Sequence, residues 1–308
     1  MNQKTCQQTM VRYALPQMIG LLFNSCYVLV DGIFIGRILG TTAMAAAGTA
    51  VLLVELLVAL SMALSAGGSV GIMAHLAKGE QEKARRIFAD VLALALLIGL
   101  LICLFGNLFL TELAMALGAD ASCLADAKTY LRFIVTFCPF MLMGYLLGGL
   151  TRADDCPKLA MTAMSVGSVS NIFLDFLFMV PLRMGIGGAA LATAIGPVLP
   201  ILILLPHFVL HKGTLYLTRM PGLFRSFFRE AGRILYAGFS SFVMEYSIGI
   251  VTFFINRAIV RERFGSQGLA AFLIIGYLML LYLTVFLGMA EGLQPVLSLL
   301  AGKKTSGG

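Results

Sequence analysis

Apolar residues in this chain come in runs of about twenty or more, parted by short polar stretches, from one end to the other. A helix needs roughly 20 mainly apolar residues to cross the hydrocarbon core of a bilayer. Eight runs meet that length, at about 13–38, 44–76, 88–110, 130–150, 159–181, 187–210, 233–260 and 268–300. The second and last are long enough to tilt or to extend past the core. No stretch between them is long enough to fold as a separate soluble domain. The pattern predicts an all-α, multi-pass integral membrane protein.

Two polar interruptions are longer than a tight turn. "KGEQEKARRIF" at 78–88 is a charged turn that opens a helix. "HKGTLYLTRMPGLFRSFFREAGR" at 211–233 sets Leu223, Phe224, Phe227 and Phe228 against Arg225, Arg229 and Arg233, an amphipathic basic helix suited to a membrane surface. It falls where a linker between two bundles belongs. The expected organisation is a six-helix N-lobe over 1–210, a linker over 211–232 and the first two helices of a second lobe over 233–308. A faint repeat agrees: a shift of 225 positions pairs Gly40 with Gly265, Gly67 with Gly292, Lys78 with Lys303 and Asp31 with Asn256. Repeats of this kind are a common transporter plan. On this reading the second unit stops partway, as in a fragment or a natural truncation.

Within the apolar runs a few polar residues stand out. In "SVSNIFLDFLFMV" (168–180) Asn171 and Asp175 lie one helical turn apart, and Gly167 and Ser168 extend the same face. In the first run Gly20, Asn24, Tyr27 and Asp31 form a second such stripe, with Pro16 upstream able to bend the helix by removing a backbone hydrogen bond. A charge at mid-bilayer costs roughly 2.5–3.5 kcal/mol on insertion scales, so these residues face protein or water and mark a pathway. Two buried carboxylates, each with an amide neighbour, can hold a proton or Na⁺ between them. They can also simply hydrogen-bond across helices; their occurrence on two matching stripes favours the first reading. Glu245 shares a face with Ser241, Gly249, Thr252 and Asn256, which makes Glu245 and Asn256 candidates for a cavity wall. Glu55 reads as a snorkelling residue near a helix end, and Glu291 and Gln294 as capping or packing groups beside Pro295.

Composition sharpens the class. Charged residues make up 12% of the chain and apolar residues 59%, where soluble domains carry about a quarter charge; the mean hydropathy is +0.94. The net charge of +7 does not signal a nucleic-acid partner, because it is distributed by side. Of 22 basic residues, 15 fall on ends and loops sharing the side of the N-terminus, which places that side in the cytoplasm. Without Trp, the tyrosines at 13, 130, 216 and 236 are left to anchor the interface. The six cysteines are scattered, without CxxC, and read as packed free thiols. His207 and His211 are four apart but lack a third ligand nearby, so no metal is expected. "ADD" at 153–155 reads as a local charge pair with Lys158. No GxSxG, HExxH or Walker loop is present, so enzymatic chemistry and a nucleotide cofactor are not expected, and work must come from an ion gradient.

Several segments together resemble the multidrug and toxic compound extrusion (MATE) family: "ALPQMIG" (14–20), "LVDGIFIGRILGTTAMAAAG" (29–48), "GGSVGIMAHLAKGEQEKA" (67–84), "LTRADDCPKLAM" (150–161), "SNIFLDFLFM…GIGGAALATAI" (170–195) and "GMAEGLQPVLSLLAGKK" (288–304). Asp155 stands where a glycine is usual, and eight helices are present where family members have twelve. The resemblance implies two lobes in a V and alternating access, with incoming H⁺ or Na⁺ expelling an organic cation or similar amphiphile. It also implies cation coupling at Asp31 and Asp175 with Asn171 beside them, and a hinge at Pro16; on the polar stripes themselves Asn24 reads as a further coupling residue and Tyr27, Gly20 and Ser168 as cavity lining. A helix-7 glutamate of another branch maps to Glu245. A monomer in the cytoplasmic membrane is expected. The alternatives are a lipid-linked sugar flippase of the same broad fold, whose cavity should hold several arginines, and an inactive membrane fragment.

Overall fold

A computed structural model describes residues 3–119, 121, 123–216, 223–261 and, beyond them, 275, 279, 282–290, 292, 293 and 297. Every regular element among the described residues is helical. Helix α1 (Gln3–Phe34) continues in a π-helical turn, Ile35–Leu39. Gly40, at φ 87°, then reverses the chain in a backbone conformation that costs glycine little. Helices α2 (Thr41–Ala77) and α3 (Gln81–Leu108) form a hairpin, and α4 (Leu110–Ala116) is a short cap. Next come α5 (Leu124–Ala153) and α6 (Pro157–Met179). The sixth apolar run is broken into α7 (Gly185–Ile195) and α8 (Leu199–Val209), because Gly196 and Pro197 interrupt it. Helix α9 (Leu223–Arg261) follows.

Among the described residues seven spans are long and apolar enough to cross a membrane, one of them formed by α7 and α8 together, and the chain is a multi-pass membrane protein. The basic stretch at the start of α9 is not a separate surface helix: it runs without a break into the seventh span. Of the eighth run, residues 282–290 are helical, while Glu291 and Gln294 lie outside the described residues.

Packing follows sequence chemistry. Bulky side chains of α3 (Leu100, Leu104, Phe105, Leu108) and of α6 (Phe173, Phe176) point outward, as lipid-facing residues must. Inside, one core gathers Phe88, Leu146, Leu150, Phe208 and Ile234, and another gathers Leu57, Leu131, Ile134, Met141 and Leu142. Helix α5 runs through the centre, against α2, α3 and α7, while α1 lies along α6.

Helix α9 packs on α2 by close backbone approach. A Cβ on Gly67 would fall 2.0 Å from the Ile234 carbonyl oxygen, and one on Gly238 would fall 2.0 Å from that of Ala63. Gly288 and Gly292 meet α1 in the same manner: a Cβ on Gly288 would stand 2.7 Å from Met18 Cα, and one on Gly292 2.7 Å from the Tyr13 carbonyl oxygen. The buried hydroxyls of Ser25 and Thr284 are 2.7 Å apart. Most of these contacts lie in the half of the bundle nearest the basic loops.

Some expectations change. Tyr130 is no interfacial anchor; it is 4% exposed in the core, whereas Tyr236 stands 87% exposed at the rim. Glu55 sits well inside α2 with its stem against Gly249 of α9, away from the helix end. Asp155 pairs with Arg12 at 2.9 Å and accepts a hydrogen bond from the Tyr13 hydroxyl, in place of a local pair with Lys158.

Candidate functional site

Helix α6 buries one stripe and exposes the rest. Gly167, Ser168, Asn171, Asp175 and Met179 are all buried, with Asn171 at 1% and Asp175 at 0% exposure. This i, i+4 spacing is the helical periodicity that the sequence displays. Helix α1 lies along that stripe, bringing Asn24, Tyr27 and Asp31 to face it. Gly20 is part of the fit: a Cβ there would touch the Met164 sulfur at 3.3 Å.

Between the stripes lies a narrow cleft, partly open to its surroundings. Asn24 and Tyr27 from α1, Tyr145 from α5, Ser168 and Asn171 from α6, and Met62 from α2 contribute to its wall. Arg152, 5% exposed at the end of α5, also reaches it. Asp31 and Asp175 stand one helical turn beyond Tyr27 and Asn171, behind the wall, within electrostatic reach of each other. One oxygen of Asp31, both oxygens of Asp175 and both amide atoms of Asn171 are buried without a hydrogen-bond partner among the described residues. Buried polar atoms are rarely left so, since each costs about 1–3 kcal/mol. Such a knot of unsatisfied oxygens and one amide suits a proton, a small cation or ordered water.

Sequence reasoning missed two residues here. Tyr130 of α5 feels the charges of both aspartates. Its hydroxyl lies 3.2 Å from Thr193 Oγ1 on α7, and Thr193 in turn donates to the Ala189 carbonyl at 3.1 Å. Because the threonine proton is committed to Ala189, the tyrosine donates to Thr193, and its oxygen keeps lone pairs that suit a protonated carboxyl or a cation, not an ionised carboxylate. A tyrosine among apolar residues carries no local signal of such a role.

The other candidates fall elsewhere. Pro16 is buried inside an unbroken α1. Glu245 is on α9, one turn from the Gly249–Glu55 contact and outside the cleft wall. Asn256 lies in α9, with its side chain outside the described residues. His207 is bound to Asp154, with Nε2 2.8 Å from Oδ2. Among the described residues no cluster of three or more His, Cys, Asp or Glu side chains could hold a metal ion.

A family model described as MatE matches residues 16–177. The chain is 25% identical over 294 residues to the multidrug export protein MepA of Staphylococcus saprophyticus, an alignment covering 94% of this chain and 63% of that protein. Its structure resembles a crystal structure of a MATE protein in complex with MaD3S, with a TM-score of 0.86 at 28% identity over 96% of this chain and 66% of the other. It also resembles the outward-facing conformation of a multidrug resistance MATE family transporter of the MOP superfamily, with a TM-score of 0.86 at 28% identity over 96% and 65%. The chain thus spans about 63% of the length of the curated relatives it matches.

Proposed function

The chain belongs to the MatE family, and from that premise we propose that it works as a cation-coupled antiporter, exporting organic cations or similar amphiphiles by alternating access. The observation that carries this reading is the pair of mid-bundle carboxylates, Asp31 and Asp175, with buried unpartnered oxygens beside Asn171 at the end of the cleft. Two ionised carboxylates in that setting repel each other and lack solvation, so a proton or Na⁺ entering between them is strongly held. Its arrival removes the counter-charge that retains a cationic substrate. With the repulsion gone, α1 moves closer to α6, and Pro16 supplies the bend because its ring leaves one backbone carbonyl without a partner. The cleft narrows and the substrate leaves.

Met62 and Met164 in the wall give a soft lining that adapts to varied ligands. The basic end faces the cytoplasm, in line with the positive-inside rule. Contacts of α9, Thr284, Gly288 and Gly292 with the first lobe then lie toward the cytoplasmic side, which supports a state open to the outside. Arg152 is the one arginine in the cleft wall among the described residues, which favours a cationic cargo over a lipid diphosphate.

The test is gradient-driven dye efflux in cells expressing the native gene. Asp31→Asn and Asp175→Asn should each abolish the response to a proton or Na⁺ gradient; undiminished efflux in both variants would remove the mechanism.

A further inference from the structure

We propose that His207 and Asp154 are positioning residues that clasp residues 211–216 onto the first lobe, making the start of the inter-lobe linker a rigid extension of that lobe. The clasp itself stands on geometry alone; its consequence for transport rests on the function proposed above.

Asp154 ends α5 and is enclosed by donors. Its Oδ2 accepts from His207 Nε2 at 2.8 Å, and its Oδ1 accepts the backbone N–H groups of Thr214 at 2.9 Å and Leu215 at 3.0 Å. His207 also holds the chain through its own backbone, its carbonyl accepting from the Lys212 N–H at 3.1 Å. One carboxylate therefore joins the end of α5, the end of α8 and two amides of the linker. Gly213 passes so close that a Cβ would lie 1.7 Å from Asp154 Oδ2 and 2.7 Å from His207 Nε2. Only hydrogen fits there.

Further contacts press the segment down. Leu215 is fully buried in the core that holds Phe88 and Phe208. From α3, Arg85 donates Nε–H to the Thr214 carbonyl at 3.0 Å and lays its guanidinium 3.9 Å over the Tyr216 ring. The His211 ring meets Tyr216 at 4.3 Å. A stretch with the composition of a free linker is thus fixed to three helices of one lobe. Residues 211–216 therefore move with the first lobe, and movement of that lobe is carried toward α9.

Hydrogen exchange on the full protein in nanodiscs reads the clasp. Gly213→Ala keeps both clasp residues but wedges them apart, and Asp154→Ala removes the acceptor. Each should speed exchange of the 214–215 amides about tenfold or more, as expected on losing bonds to a charged acceptor. Peptides around Asn171 should not change. His207→Ala should act in the same direction, and His207→Gln, which retains a donor at similar reach, should restore protection. Gradient-driven efflux should fall several-fold in Gly213→Ala although no cleft residue has changed. Unaltered exchange in both Gly213→Ala and Asp154→Ala would overturn the clasp; faster exchange with efflux at the unsubstituted rate would overturn its positioning role. Absence of efflux in the unsubstituted protein would count against the transport reading, while the exchange result would still decide whether the clasp exists.

Discussion

Replacing Gly238 by alanine puts a methyl group 2.0 Å from the Ala63 carbonyl oxygen and 2.7 Å from its carbon. Ordinary contact begins well beyond 3 Å, and the obstacle is backbone, so α9 must back away from α2. Overpacking of this kind costs about 1–3 kcal/mol, and a rigid obstacle places it near 3. Alanine's higher helix propensity cancels, because a spanning α9 is helical whether or not it packs. About 3 kcal/mol against the packed α2–α9 contact is a factor of about 140 in its population when 1.4 kcal/mol is tenfold. Gly249→Ala supplies an internal control on the same helix and against the same partner. There the new methyl would meet only the flexible stem of Glu55, at 3.3 Å, which can give by a few tenths of an ångström, so the contact holds. Spin labels at the exposed positions Val70 of α2 and Leu235 of α9 report the interhelix distance by pulsed EPR. The short-distance population should shrink in Gly238→Ala and hold in Gly249→Ala. If the two variants behave alike, close backbone approach is not what holds α9 to α2.

Other substitutions test other parts of the fold. Ser25→Ala removes one hydroxyl of the buried 2.7 Å pair with Thr284, at an expected cost of about 1 kcal/mol. A double-mutant cycle with Thr284→Val, followed by thermal unfolding, should show coupling, and strict additivity would deny the contact between α1 and Thr284. Hydrogen bonds from Lys83 and His75 hold the Glu80 carboxyl down to about 2, from an ordinary value near 4.5. Because its folded value is depressed, the support it gives the α2–α3 turn is complete above about pH 4.5 and is lost as pH falls toward 2. Side-chain NMR of Glu80 should follow that low titration, and a midpoint near 4.5 would contradict it.

Much of this architecture is legible in the one-dimensional pattern, for a physical reason. In a bilayer every backbone group must be paired within its own segment, so a long apolar run has little choice but helix. The 167–175 stripe is equally readable, since periodicity reports which residues share a face. Periodicity is silent on what that face meets. Tyr130 looked like a rim residue because it sits near the start of an apolar run, yet α5 starts at Leu124 and carries it into the core beside Thr193. The break at Gly196 and Pro197 was visible as residues but hidden by the hydrophobicity around them. Asp154 and His207 are 53 positions apart, and neither has a neighbour that hints at the other. The basic start of α9 reads as amphipathic whether it lies flat or, as here, continues into a span.

Under the proposed function, the Asp31 and Asp175 pair binds a coupling cation in exchange with substrate. The direct measurement is substrate-evoked cation release from the purified protein, followed with a pH dye in weak buffer and by Na⁺ spectroscopy. Adding an organic cation should displace protons or Na⁺ from the unsubstituted protein and none from the Asp31→Asn, Asp175→Asn double variant. Equal release from both proteins, or substrate binding with no release from either, would contradict it.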